Sequence, residues 1–594
     1  MTSLLPAWVR GSIPAKKPSV SGTTENQSSQ PPTFEQACAL VLAPGTLLEI
    51  VDGEVDGRST KLFAGAPPNI RTLYDLAAFR TDEFIIYEDE RWTMPEVLAL
   101  AGRIGHTLVE TYGVTKGDRV AIAMRNCPQW VAAFVAITSV GAIAVPLNAW
   151  WTGDEMTFAI NDCHPTVVLG DRTRMERLTG HELNDPAPTL VLTHAEADVG
   201  REGGALPDGV VLLADTLAAE TTMPHVDIEP DDDVTILYTS GTTGFPKGAV
   251  SSHRAVLSAL LSFAARKAVA DLMDPPPAAA TSDAPPAVFM LPVPLFHVTG
   301  LIPVMMGSFV SGSRLVMTYR WNPDRALELI EREKVTHFIG VPTMSWDLLE
   351  APTFGQRDVS SLLGIGGGGA PMPPELVKRI NEHFPNGQPQ LGYGMTETNA
   401  YGPSIAGREF LQRPDSTGRV LPSMEMRVTD GEGNVLPPGE VGELWFKGPN
   451  LIRGYWNRPE ATAETLVDGW LRSGDLGYLD EDGFVYVSDR IKDIVLRAGE
   501  NVYCAEVEAA IYQHPAIYEA AVFGVPDERL GEQVAAVIML KPGSRLSADE
   551  LTEFLTEHLA PFKIPTRIGL VAEQLPRNAA GKILKRDLRD KLTA

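Results

Sequence analysis

From about Thr72 onward the chain alternates amphipathic helices with short apolar strands, and that alternation restricts it to few folds. "MPEVLALAGRIGHTLVETYG" places apolar residues at helical spacing. "RVAIAM", "PTVVLGD", "LVLTH" and "GVVLLAD" are apolar runs of strand length. Strands separated by helices argue a layered α/β fold with largely parallel sheets. After about Gly418 the texture changes. "MEMRVTD", "GELWFKG" and "GFVYVSD" are short strands between turns such as "DGEGN" and "DEDG", which predicts a small β-rich subdomain. From Lys492 it changes again, to a compact α+β unit with helices in "AEVEAAIYQH" and "SADELTEFLTEHL" and strands in "EAAVFGV" and "EQVAAVIML". The first 58 residues, rich in Ser, Pro, Thr and Gln at first and with little periodicity until "FEQACALVL", read as a partly disordered arm. The expected divisions are 1–58, 59–490 and 491–594.

Charge narrows the function. Over 594 residues the formal net charge is −26, which argues against a nucleic-acid binder, because phosphate backbones need a basic surface. Cys38, Cys127, Cys163 and Cys504 are scattered, without metal-ligand spacing, so a reducing cytoplasm is the expected home. Two uncharged runs, 130–151 and 287–312, are long enough to suggest a membrane span. The first reads better as a buried helix, a turn at Gly141 and the strand "AIAVPLN". The second is broken by Pro292, Pro294, Gly300 and Pro303 into a strand, a loop with Phe296 and His297, and a buried helix. Peripheral membrane contact and a homodimer both stay open.

The chemistry begins at "YTSGTTGFPKGAV". Gly241, Gly244 and Gly248 let backbone N–H groups turn toward an anion, while Ser240, Thr242 and Thr243 add hydroxyls and Lys247 a charge. Pro246 and Gly248 flank Lys247, so this is not the G-x-x-x-x-G-K-[ST] loop. "GIGGGGAP" fits G-x-G-x-x-G through Gly364, Gly366 and Gly369, but "QPQLGYG" follows, without the carboxylate a dinucleotide site needs. Glycine there suits close approach of a flat or bulky ligand. In "YGMTET", Glu397 is a candidate Mg²⁺ ligand, since Mg²⁺ takes one or two carboxylates plus phosphate oxygens. Asp475 and Arg490 suit ribose hydroxyls and phosphate. Asp480 reads as turn chemistry, and Lys582 follows a glycine in "LPRNAAGKILKR".

Together "YTSGTTGFPKG", "GGGAP", "YGMTET", "GELW", "SGDLGYLDEDGF", "VSDRIKD", "GENVYCAEVE" and "PRNAAGK" resemble, in order, the adenylate-forming superfamily of acyl-CoA synthetases, peptide-synthetase adenylation domains and luciferases. The resemblance runs from about Thr72 to the C-terminus. It implies a large N-terminal domain of two α/β sheets plus a small β-barrel, and a smaller mobile α+β domain hinged at Lys492. It implies ATP, Mg²⁺ and CoA as cofactors and co-substrates, and a small carboxylic acid as substrate. Thr239, Ser240, Gly241, Thr242, Thr243, Gly244 and Lys247 would hold the β- and γ-phosphates. Gly368, Gly369, Ala370, Pro371, Tyr393 and Gly394 would flank adenine. Thr396 would bond the α-phosphate, Glu397 the metal and Asp475 the ribose, with Arg490 nearby. Lys582 would bridge carboxylate and α-phosphate, until a hinge motion replaces it with Gly499, Glu500 and Asn501 on the CoA side.

Amino-acid adenylation domains carry an Asp where this chain has His297, so a substrate ammonium would lack its partner. "PLFHVTG" and "GENVYCAEVE" resemble CoA ligases, with His297 gating the acyl pocket and Cys504 replacing a common Pro. Phe296, Val298, Val341, Thr343, Trp346 and Gly367 are expected to line that pocket. Their apolar or small character favours a fatty acid, with an aryl or polycyclic acid next and a fatty acyl-AMP ligase as an alternative.

Overall fold

In the computed structural model, residues 31–194, 206–239, 246–275, 286–578 and 581–593 are described. Two eight-stranded sheets dominate. In the first, strands Arg119–Ala123, Ile143–Pro146, Val167–Asp171, Thr189–His194 and Val210–Leu212 pair in parallel. The strand Asp233–Thr239 joins in parallel, and Lys247–Ser252 and Gly454–Tyr455 add an antiparallel edge. The second has a parallel centre of Glu83–Tyr87, Arg314–Met317, Val288–Leu291, His337–Gly340, Gly364–Gly368 and Gln388–Gly392.

Parallel strands are apolar on both faces, so each sheet needs cover on both. One continuous core spans the two sheets, with the helix Pro128–Ser139 inside it. Of its twelve residues only Gln129 is not buried. That accounts for the first uncharged run: helix, a turn at Gly141 with positive φ, then strand. The second becomes the strand Val288–Leu291, a loop and the buried turns from Gly300 to Ser311. Among the described residues no helix is long and apolar enough to cross a membrane.

The small β unit departs from expectation. It is a sheet of Glu425–Thr429, Gly442–Lys447, Trp470–Leu479, Leu466–Val467 and Val485–Arg490, and no pairing among the described residues closes it into a barrel. The ten-residue strand Trp470–Leu479 pairs with three others along its length, so the sheet branches instead of curling shut. The arm expected over 1–58 is also corrected in part. Thr33 caps the helix Phe34–Val41 through a reciprocal bond with Gln36, and Ile50–Val55 pairs with Arg58–Phe63. Phe34, Ala37, Cys38 and Val41 bury against Ala265, Val269 and Leu421. The expected boundary at 58/59 therefore falls inside a hairpin.

The C-terminal unit is a five-stranded sheet covered on both faces. Helices Cys504–Tyr512 and Ala548–Thr556 cover one face, and Leu588 from Lys585–Thr593 covers the other.

Candidate functional site

Strand register places the two described ends of the expected phosphate motif. Thr239 and Lys247 are cross-strand partners in an antiparallel pair, so the motif runs from strand to strand, not from strand to helix as a Walker loop does. Ser240, Gly241, Thr242, Thr243 and Gly244 lie outside the described residues. Lys247 Nζ lies 5.2 Å from the centre of the Tyr455 ring, a cation–π distance. The Tyr455 hydroxyl donates to Glu397 Oε1 at 2.6 Å. Tyr455 thus joins the loop lysine to the expected metal carboxylate. Nothing in "RGYWNRPE" marked it, since a tyrosine beside a tryptophan reads as packing.

Glu397 is held by its backbone. Thr396–Thr398 form one tight turn, and Asn399 takes positive φ to end it. Asn399 Oδ1 accepts from Ser251 Oγ at 3.0 Å, and its amide donates to Asn450 O at 2.9 Å. Asn450 in turn donates to Thr398 O at 2.7 Å. This buried network fixes the motif to the strand Lys247–Ser252. Thr396 stays half-buried at the start of the turn. One buried carboxylate, with no cluster of three metal-binding side chains among the described residues, fits Mg²⁺ held jointly with phosphate oxygens.

The ribose candidates also face each other by register, Asp475 opposite Arg490 across two strands. Arg490 Nε lies 3.2 Å from Asp475 Oδ1, and Tyr393 donates its hydroxyl to Asp475 Oδ2. Burial raises the Asp475 carboxyl pKa, and Arg490 opposes that rise.

The glycine strand is corrected. A Cβ on Gly366 would strike Gln390 O, one on Gly367 would strike Gly340 O, and one on Gly368 would strike Gly392 O. Neighbouring strands are enough to demand these glycines without a ligand, and Gly367 is not among the residues that line the cleft closed by Lys582. Gly369, with φ +86°, differs: a Cβ there would point at Lys582 Cε, 3.7 Å away. Ala370 and the exposed Pro371 follow it.

Lys582 enters from the C-terminal domain. Arg577 donates to Gly581 O at 2.5 Å, and Asn578 Oδ1 accepts the Lys582 N–H at 3.0 Å, which ties Lys582 and its neighbour to Arg577 and Asn578. The lysine closes a narrow cleft lined by Val293, Pro294, His297, Thr299, Val341 and Gly369. Burial and then Arg490 lower its pKa to about 8, against the pull of Asp475 and Glu397. Burial, then the Lys582 charge, pushes His297 down to about 3, so its imidazole is neutral. Its Nδ1 accepts from Thr299 N at 3.3 Å, leaving the proton on Nε2.

Of the six expected acyl-pocket residues, only Val341 lines this cleft. Val298 packs in the core, Phe296 is half-buried, and Trp346 is in the core under the Arg379 guanidinium. Thr343 instead accepts from Arg577 of the other domain. Gly394 packs against Ala400 O with no room for a Cβ. Lys492 lies in the turn after the strand Val485–Arg490. Gly499, Glu500 and Asn501 are exposed on the hairpin Val495–Arg497/Glu500–Val502. Asp480 does cap its own turn, accepting from Asp482 and Phe484 N–H groups.

A cross-domain lysine beside ribose- and metal-type carboxylates defines an adenylate-forming site. Residues 75–456 match the AMP-binding enzyme family and 506–582 match the AMP-binding enzyme C-terminal domain. The chain belongs to this family and is an enzyme of the adenylate-forming, acid–thiol ligase class. It is similar to the long-chain-fatty-acid–CoA ligase FadD13 of Mycobacterium tuberculosis, 34% identical over 85% of this chain and 94% of that one. It is likewise similar to the fatty acid–[acyl-carrier-protein] ligase ScoC of Streptomyces coeruleorubidus, 34% identical over 88% and 97%. Among solved structures, ATP-bound MatB from Rhodopseudomonas palustris superposes with a TM-score of 0.75 at 29% identity, over 88% of this chain and 99% of that one.

Proposed function

We propose that the protein uses ATP to convert a hydrophobic carboxylic acid, a fatty acid foremost, to acyl-AMP and pyrophosphate, and then transfers the acyl group to CoA. The observation that carries this reading is Lys582, brought by the second domain into the cleft beside neutral His297. The walls Val293, Pro294 and Val341 suit an apolar chain, and the amine suits its carboxylate. A neutral imidazole adds no competing charge.

In the first step a carboxylate oxygen attacks the α-phosphorus, and the bond to the bridging oxygen of pyrophosphate breaks. Both partners are anions, so Lys582 lowers the barrier by holding positive charge between them. Lys247 faces the leaving phosphates. Glu397 would hold Mg²⁺, which would neutralise the departing pyrophosphate. Asp475 fixes the ribose, with Tyr393 and Arg490 fixing Asp475. In the second step the CoA sulfur attacks the acyl carbon, AMP leaves with the electron pair, and the thiol proton goes to solvent.

A carrier-protein thiol is the second reading, favoured by the similarity to ScoC. Four buried thiols, none in a disulfide, suit the reducing cytoplasm in which either acceptor would be met. The test is pyrophosphate release from ATP and Mg²⁺ with fatty, aryl and polycyclic acids, with and without CoA. Fatty acid-dependent pyrophosphate followed by acyl-CoA supports the reading. Release without thioester would favour the carrier protein, and no acid-dependent release would sink both.

A further inference from the structure

The helix Pro342–Glu350 has a polar stripe that the proposed chemistry leaves unexplained. Thr343, Asp347 and Glu350 stand at i, i+4 and i+7, on one face. Met344, Leu348 and Leu349 bury the other face. Each polar residue meets the C-terminal domain. Arg577 Nη1 donates to Thr343 Oγ1 at 3.2 Å, Tyr518 OH donates to Asp347 Oδ1 at 2.7 Å, and Lys541 lies 3.9 Å from Glu350. Just before the helix, Val341 lines the cleft and fills the space a Cβ on Gly581 would need.

The three contacts are unequal. Glu350 already pairs with Arg379 at 2.6 Å, so the long Lys541 contact adds little. The Thr343 acceptor is uncharged. Asp347 is the charged acceptor, and charge-assisted bonds are the stronger kind. Its second oxygen takes the Trp321 indole N–H at 2.8 Å, wholly within the large domain. The carboxylate is therefore aimed before the C-terminal domain arrives.

From Tyr518 a connected path leads to Lys582. The next residue, Glu519, accepts from Leu575 N at 3.2 Å and pairs with Arg577. Arg577 closes the turn onto Gly581 O, and Asn578 holds the Lys582 N–H. We infer that the helix Pro342–Glu350 is the docking rail of the C-terminal domain, and that the Tyr518–Asp347 bond is the contact that positions Lys582 for adenylation. Tyr518 and Asp347 are positioning residues: neither touches the cleft. The inference rests on the function proposed above, in which Lys582 acts in the first half-reaction.

Tyr518→Phe tests it, since the ring stays and only the cross-domain hydroxyl goes. Because the native cysteines are buried, spin labels can be placed at two exposed positions, Lys378→Cys and Glu553→Cys, one on each domain. Loss of one bond to a charged acceptor should lower the ratio of docked to undocked molecules roughly 10-fold. Acyl-AMP formation should fall with it, while thioester formation from supplied acyl-AMP and CoA keeps at least the wild-type rate. Trp321→Phe, which frees the carboxylate inside the large domain, should shift the distances the same way. Unchanged distances with unchanged adenylation would overturn the inference, and so would an equal loss in both half-reactions. A wild-type chain that forms no acyl-AMP would sink the proposed function instead, and the label distances would still decide the docking claim.

Discussion

In the proposed first step Lys582 would have to be charged to hold two anions together, yet burial and Arg490 bring its pKa down to about 8. The sign follows. Below pH 8 the ammonium is present, and above it the positive charge is lost. Adenylation kcat/KM should therefore fall as pH rises through about 8, in a proton-activated limb that belongs to the free enzyme. Lys582→Arg keeps its charge and should abolish that limb while lowering the plateau, because the fork does not reproduce a point charge. A limb near 10 would contradict the buried amine. His297, at about 3, is already neutral across this range, so no limb near 6.5 should belong to it. Tyr455→Phe tests the bridge between Lys247 and Glu397. It keeps the ring under Lys247 and removes the hydroxyl from Glu397. Groups that orient a metal ligand commonly contribute about 10-fold to metal affinity. The Mg²⁺ needed for half-maximal adenylation should rise by that order with the KM for the acid unchanged. An unchanged Mg²⁺ requirement would make Tyr455 mere packing.

At the scale of elements, the strand Gly364–Gly368 is a packing device. Gly367→Ala would drive a methyl into Gly340 O at a φ of +151°, so it should cost about 3 kcal/mol or more of stability even without ligand. An unchanged urea midpoint would restore the ligand explanation. That misreading shows where sequence runs out: a glycine run looks the same whether a ligand or an adjacent backbone excludes the side chain. The alternating helices and strands were legible because their periods are local. So was the helix, turn and strand in 130–151, since Gly141 supplies the one positive φ the turn requires. The closure expected of the β unit was not legible, because pairing between distant strands leaves no local pattern. The two-turn helix Phe34–Val41 showed only as the spacing in "FEQACALVL", too short to outweigh the arm around it, and its apolar face has meaning only against Ala265 and Val269. At the site, the polar residues clustered in short glycine-rich motifs stood out, whereas Tyr455, Asp347 and Tyr518, outside any such motif, gain meaning only from their partners.

At the scale of the whole molecule, Lys582 is in the cleft while Gly499, Glu500 and Asn501 stand exposed on their hairpin. In the proposed second step that arrangement would change, and Lys492, in the turn between the domains, is where the chain would turn. Lys492→Pro, with φ held near −65°, should leave acyl-AMP formation intact and block acyl-CoA formation. Equal loss of both would place the hinge elsewhere. The measurement that bears most directly on the account is a split assay of Lys582→Ala, timing acyl-AMP formation from a fatty acid and ATP separately from thioester formation with supplied acyl-AMP and CoA. Removing one preorganised charge should slow the first step by at least ~10²-fold. The second, which uses the other orientation, should run near the wild-type rate. An unimpaired first step, or a parallel collapse of both, would contradict a lysine that serves only one half of the reaction.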